Sequence, residues 1–128
     1  MNILPDTHLL LWAALDPDKL SEQAVDSLSD KRNTLHFSPV SLWEIVIKNG
    51  LQRPDFSVDP QLLRRGLIEN GYEELPVGSR HVLAVGSLPP LHRDPFDRLL
   101  VAQAGSEGFV LLTADRALAD YGGPVRLV

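Results

Sequence analysis

Gly108-Phe109-Val110-Leu111-Leu112-Thr113-Ala114-Asp115-Arg116 decides the fold class. Its core, Phe109 to Leu112, is apolar at every position where a half-solvated strand would alternate, so it reads as a strand covered on both faces. The preceding stretch, Pro95 to Glu107, has helix-period patterning that Gly108 terminates. A helix feeding a doubly buried strand is the unit of a parallel α/β sheet.

The same alternation recurs outward from that point. Met1-Asn2-Ile3-Leu4-Pro5 reads as a short strand, with Asp6 or Thr7 placed to cap an apolar helix from His8 to Leu15. Ser21, Val25 and Leu28 mark a second helix running to about Asp30. Thr34 to Ser38 reads as a strand, and Ser38-Pro39 opens a helix through Ser41, Glu44 and Lys48 to Gly50. A loop is expected over Gln52 to Pro60, a helix over Gln61 to Asn70 and a strand over Tyr72 to Val77. A short helix over Ser79 to Ser87 and a last strand over Val125 to Val128 follow. The expectation is one domain over residues 1–128, with a central, mainly parallel β-sheet and helices on both sides in three layers. Ligands of such sheets collect beyond the carboxyl ends of the strands, where Asp6 and Asp115 fall.

Composition removes several function classes. The 128 residues are 44% hydrophobic, enough for one compact core, and contain no apolar run of membrane-spanning length. Asp6 and His8 interrupt the N-terminal segment, which lacks a secretory signal's basic region and cleavage site, so a soluble cytoplasmic protein is expected. With no cysteine there is no disulfide framework and no thiolate metal site, leaving oxygen, helped by histidine, to hold any metal. A net charge of −5 argues against nonspecific coating of nucleic acid but not against a nucleic-acid enzyme. Lys48, Arg53, Arg64, Arg65, Arg80, Arg93, Arg98 and Arg116 are available for local phosphate contacts. His8, His36, His81 and His92 show no i,i+4 pair and no HExxH, and GxSxG, P-loop and GxGxxG motifs are missing from the chain.

The acidic residues Asp6, Glu44, Asp94 with Asp97, and Asp115 lie roughly 40, 50 and 20 residues apart, each near a strand end or within a helix that follows one. Brought together they would repel one another unless a hard divalent cation neutralised them. Each also has an ordinary explanation. Asp6 is either a helix cap alone or, with Thr7 as the alternative cap, a group left facing a ligand. Ser41, Glu44 and Lys48 share one helical stripe, either a solvated one with a Glu44–Lys48 ion pair or one lining a cleft, with Glu44 on a metal and Lys48 near a phosphate. Asp94-Pro95-Phe96-Asp97 fits a capping box, flanked by Arg93 and Arg98 as possible phosphate contacts, and Asp115 falls in the first turn of a short helix that Thr113 can cap.

Four segments together resemble a PIN domain of the VapC toxin type. They are Leu4-Pro5-Asp6-Thr7-His8-Leu9-Leu10-Leu11-Trp12, Ser38-Pro39-Val40-Ser41-Leu42-Trp43-Glu44-Ile45, His92-Arg93-Asp94-Pro95-Phe96-Asp97-Arg98-Leu99-Leu100-Val101-Ala102-Gln103-Ala104, and Leu111-Leu112-Thr113-Ala114-Asp115. The third is the most specific. The resemblance implies a PIN-like fold and a Mg²⁺- or Mn²⁺-dependent endoribonuclease acting on RNA, in which Asp6, Glu44, Asp97 and Asp115 take the places of an acidic quartet. Asp6 and Asp97 are then the principal metal ligands, Thr113 orients Asp115 or a metal water, and Asp94 is either a direct ligand or a support for one. Pro5 departs from the aliphatic residue expected before the first aspartate. The resemblance also implies a small antitoxin partner. The apolar helices around Trp12 and Trp43 carry more apolar surface than one small core buries, so a homodimer is expected. The alternatives are a PIN scaffold kept only for protein binding, and a receiver-type phosphoacceptor domain, which Thr113-Ala114 imitates without the paired acids or the late lysine.

Overall fold

The computed structural model describes residues 1–51 and 56–128. Among them five strands, β1 (Asn2–Pro5), β2 (Thr34–Phe37), β3 (Glu73–Glu74), β4 (Val110–Thr113) and β5 (Val125–Leu127), form one sheet in the order β3-β2-β1-β4-β5. Every pairing is parallel, so the expected mainly parallel sheet is wholly parallel among the described residues. The order differs from the 2-1-3-4-5 arrangement of receiver domains, which removes that alternative.

Among the described residues seven α-helices connect these strands: α1 (Thr7–Leu15), α2 (Glu22–Ser29), α3 (Pro39–Gly50), α4 (Pro60–Glu69), α5 (Ser79–Val85), α6 (Pro95–Glu107) and α7 (Arg116–Ala119). A short 3₁₀ turn, Pro17–Lys19, links α1 to α2. The expected loop from Gln52 to Pro60 falls partly on residues 52–55, outside the described residues, as does Arg53. Phe56 to Asp59 form no helix or strand, and Asp59 caps α4.

The apolar strands are buried on two faces, and successive side chains sort between them. Leu4 and Leu111 pack with Leu100, Val101 and Ala104 of α6 and with Val40 and Leu118. Their neighbours Ile3 and Leu112 pack with Leu9 of α1, and Trp12, Leu20 and Leu28 close over them. Leu10, Phe37 and Ile45 join Leu63 and Leu67 of α4 in a third group. Each fully buried leucine or isoleucine contributes roughly 1.5–3 kcal/mol. The sheet is therefore the middle of three layers.

The strand expected over Tyr72 to Val77 shrinks to Glu73–Glu74 at the sheet edge. The Leu75 N–H still donates to the Phe37 carbonyl at 2.8 Å, but Pro76 has no N–H with which to continue the ladder. Gly108 ends α6 in the left-handed region, φ 70°, a conformation that a side chain would strain. No described helix is long and apolar enough to cross a membrane.

The chain runs from β1 to β2 and β3 on one side, then returns to β4 and β5 on the other. The direction reverses between β1 and β4, and the crevice beyond the carboxyl ends of those two strands is where such sheets bind ligands.

Candidate active site

β1 and β4 are paired Ile3 to Val110, Leu4 to Leu111 and Pro5 to Leu112, so the next residues, Asp6 and Thr113, meet at the switch point. Pro5 does not disturb this delivery, because the Asp6 N–H donates to the Leu112 carbonyl at 2.9 Å. Asp6 is buried, and both its carboxylate oxygens have partners. Oδ1 accepts from the Leu9 N–H at 3.0 Å, making Asp6 the N-cap of α1, and Oδ2 accepts from the Thr113 hydroxyl at 2.5 Å. Thr7 is therefore not the cap. Its hydroxyl instead donates to Ser41 Oγ at 2.9 Å, binding the start of α1 to α3.

Ser38 ends β2 and caps α3 through the Val40 N–H, while its hydroxyl donates to Gln103 Oε1 of α6 at 2.5 Å. This sets α3 so that Ser41 and Glu44 point inward. Glu44 is 2% exposed, which rules out the solvated stripe. Its Oε2 lies 2.7 Å from Lys48 Nζ, whereas its Oε1 is buried with no hydrogen-bond partner among the described residues. A buried carboxylate oxygen left bare costs free energy on the order of 1–3 kcal/mol or more.

Asp94 caps α6 as expected, with Oδ1 accepting from the Phe96 and Asp97 N–H groups at 2.8 and 3.2 Å, and Pro95 takes the first helical position. That first turn presents Asp97, whose Oδ2 lies 2.8 Å from His92 Nε2. Asp115 is itself the N-cap of α7, accepting from Ala117, where the sequence had suggested Thr113. Thr113 Oγ1 instead accepts from the Asp115 N–H at 3.0 Å while donating to Asp6. Side-chain ligand atoms of His92, Asp97 and Asp115 all lie within 4.8 Å of one another.

The electrostatics ties the remaining acids to this cluster. Burial pushes the Asp97 carboxyl up to about 6; the His92 contact opposes the shift, and the negative charges of Asp94, Glu44 and Asp6 reinforce it. Asp6 is likewise raised by burial, against the Thr113 and Leu9 hydrogen bonds and the charge of His8, with Glu44 adding to the rise. Among the described residues no lysine or arginine pairs with Asp6, Asp97 or Asp115, and Lys48 is committed to Glu44. The donor set, oxygen-rich with one bare buried carboxylate oxygen and one imidazole, fits a hard or borderline divalent cation.

The fold thus brings Asp97 and Asp115 together with His92, sets Asp6 and Glu44 near enough for their charges to act on Asp97, and uses Asp94 to cap the turn that bears Asp97. Sequence reasoning missed His92. It stands five residues before Asp97, outside any metal-site spacing rule, and only the turn before α6 brings the two together. Three of the cations named as phosphate contacts have other partners, although the Arg98 Nε is buried without one. Arg64 pairs with Glu74 at 3.1 Å, Arg80 with Glu107, and Arg98 donates to the Val85 carbonyl at 3.3 Å, tying α6 to α5. Arg65, Arg93 and Arg116 are exposed.

Comparison with known proteins bears on this arrangement. The profile of the PIN domain matches residues 3–124. Among solved structures, VapBC2 from Rickettsia felis bound to a promoter DNA fragment aligns over 100% of this chain and 98% of its own, at 17% identity and TM-score 0.71. VapBC-1 from nontypeable Haemophilus influenzae aligns over 99% of this chain and 98% of its own, at 17% identity and TM-score 0.65. FitAcB from Neisseria gonorrhoeae aligns over 96% and 95% respectively, at 15% identity and TM-score 0.64. At these identities the likeness is one of fold. Comparison with curated protein sequences finds no match.

The raised Asp97 carboxyl sets a pH dependence. A carboxyl whose folded value exceeds its unfolded one favours folding most at low pH, and that advantage is lost as the pH rises from about 4 through about 6. In metal-free protein, Asp97→Asn removes this loss. Its melting temperature relative to wild type should rise by a few degrees between roughly pH 4.5 and 7.5. A difference that stays constant across that range contradicts the raised Asp97 carboxyl.

Proposed function

The chain belongs to the PIN domain family, and we propose that it is a Mg²⁺- or Mn²⁺-dependent endoribonuclease, the toxin of a toxin–antitoxin pair acting in the cytoplasm. The observation that carries the reading is the convergence of carboxylates at the switch point, with Glu44 Oε1 buried and bare. A protein-binding scaffold has no use for such a cluster, which weakens the fold without a cation.

Asp97 and Asp115, whose oxygens lie close together, are the groups that would hold the ion most directly, with Glu44, whose Oε1 is bare and whose charge acts on Asp97, as a further donor. Asp6 keeps a lone pair on each oxygen beyond its protein hydrogen bonds and completes the set. A bound cation supplies a polarised phosphate and a more acidic water. The protein's part is orientation. Thr113 fixes Asp6 and the Asp115 backbone, Asp94 fixes the turn bearing Asp97, and Lys48 neutralises one oxygen of Glu44. Hydrolysis adds water to phosphorus and breaks a P–O bond, so no protein nucleophile is required.

The partner readings rest on surface features and on the structural neighbours, which are VapBC and FitAcB complexes. A groove of about 710 Å³ between α1 and α4, lined by Ala13, Ala14, Leu28, Leu62 and Leu63, offers an apolar seat for a small antitoxin. Trp12 is half-buried against the core, but Trp43, Val46 and Ile47 on α3 remain 55%, 51% and 45% exposed. That apolar face supports a homodimer.

Purified protein should cleave single-stranded or loop RNA with Mg²⁺ or Mn²⁺ and stop on addition of EDTA. Cleavage undiminished by both EDTA and Asp97→Asn would refute the assignment. In sedimentation, the protein should run as a dimer at micromolar concentration and dissociate in Trp43→Lys; a clean monomer in wild type removes the dimer.

A further inference from the structure

His92 is the one nitrogen donor in a cluster otherwise made of carboxylates, and nothing in the catalytic reading above employs it. It lies on the turn leading into α6, with its side chain 19% exposed and Nε2 facing Asp97 Oδ2 at 2.8 Å. An octahedral ion with bonds near 2.1 Å sets adjacent ligands about 3 Å apart and opposite ligands about 4.2 Å apart. The Nε2–Oδ2 separation matches the first spacing, and the 4.8 Å limit on the His92, Asp97 and Asp115 atoms accommodates the second. Glu44 Oε1 is buried and bare among the described residues, and the Glu44 charge is felt at Asp97, so a second carboxylate near the cluster lacks a positive partner on one oxygen.

We propose that His92 Nε2 is a direct ligand of the cation held by Asp97 and Asp115, giving an oxygen-rich site one nitrogen and tilting its preference from Mg²⁺ towards Mn²⁺. The inference rests on the metal-dependent reading above and goes beyond the acidic quartet. Without an ion, the Nε2–H donates to Asp97 Oδ2. With one bound, the neutral imidazole presents the Nε2 lone pair and carries its proton on Nδ1. Mg²⁺ is satisfied by oxygen and keeps its waters, whereas imidazole favours first-row transition ions, so the nitrogen discriminates between two cations of equal charge.

The competing role is mechanical, with His92 only holding Asp97 in place. Two variants separate the roles. His92→Ala removes both nitrogen and hydrogen bond, while His92→Gln retains an amide donor that can reach Asp97. Titration calorimetry with Mn²⁺ and Mg²⁺ separately, and pulsed electron paramagnetic resonance of the Mn²⁺-loaded protein, read the outcome. The expected result is a directly coupled ¹⁴N in wild type, lost in both variants. Mn²⁺ affinity should fall on the order of tenfold in both, and Mg²⁺ affinity should change by less than about threefold. Mn²⁺ binding that needs Asp97 but shows no nitrogen coupling overturns the proposal and leaves the metal-dependent reading standing. So does equal weakening of both ions in His92→Ala with recovery in His92→Gln. No saturable binding of either ion to wild type overturns both.

Discussion

Thr113 Oγ1 donates to Asp6 Oδ2 at 2.5 Å and accepts from the Asp115 N–H at 3.0 Å, joining the ends of the two central strands through one hydroxyl. The bridge exists because β1 and β4 are in parallel register with Pro5 opposite Leu112. A slip of one residue would turn Asp6 towards the opposite face of the sheet and take Ile3 and Leu4 out of their two cores. The packing that selects the register therefore also places the first carboxylate. The second layer of constraint is the Ser38–Gln103 and Thr7–Ser41 hydrogen bonds, which lock α3 against α6 and α1 so that Glu44 faces the same rim.

Such a rim is costly for the fold. Asp6 and Glu44 are nearly inaccessible, and burial holds Asp97 at about 6, with the charges of Asp94, Glu44 and Asp6 adding to the cost of ionising it. A chain selected only for stability would place apolar side chains here or add a cation. The molecule does neither completely, since Lys48 satisfies one oxygen of Glu44 and leaves the other bare. The stabilisation missing from the isolated chain is what a divalent cation would contribute on binding, by mass action.

Much of this was legible from residue patterning. The unbroken Phe109–Leu112 run announced a strand buried on both sides, and Ser38-Pro39 and Asp94-Pro95 marked helix starts that the structure reproduces. The acids could be named because each follows a strand, opens a helix or, for Glu44, lies within a helix that follows a strand. What patterning could not supply was three-dimensional choice among equivalent groups. Whether Asp6 or Thr7 capped α1, and whether Asp115 or Thr113 capped α7, depended on which hydroxyl found a partner across the sheet. The burial of Glu44 depended on the roll of α3. His92 was invisible because a turn, not a helical period, carries it to Asp97. The arginines read as phosphate contacts were equally undecidable, since Glu74, Glu107 and the Val85 carbonyl claim three of them.

The central claim is that repelling carboxylates, Asp97 foremost, form a cation site and not merely a set of helix caps. Melting temperature with and without Mn²⁺, for wild type, Asp94→Asn and Asp97→Asn, tests it most directly. The cation-site reading predicts a clear Mn²⁺-induced rise in wild type, a partial rise in Asp94→Asn and none in Asp97→Asn, whose metal-free protein melts no lower than wild type. A Mn²⁺ shift that survives intact in Asp97→Asn would contradict it.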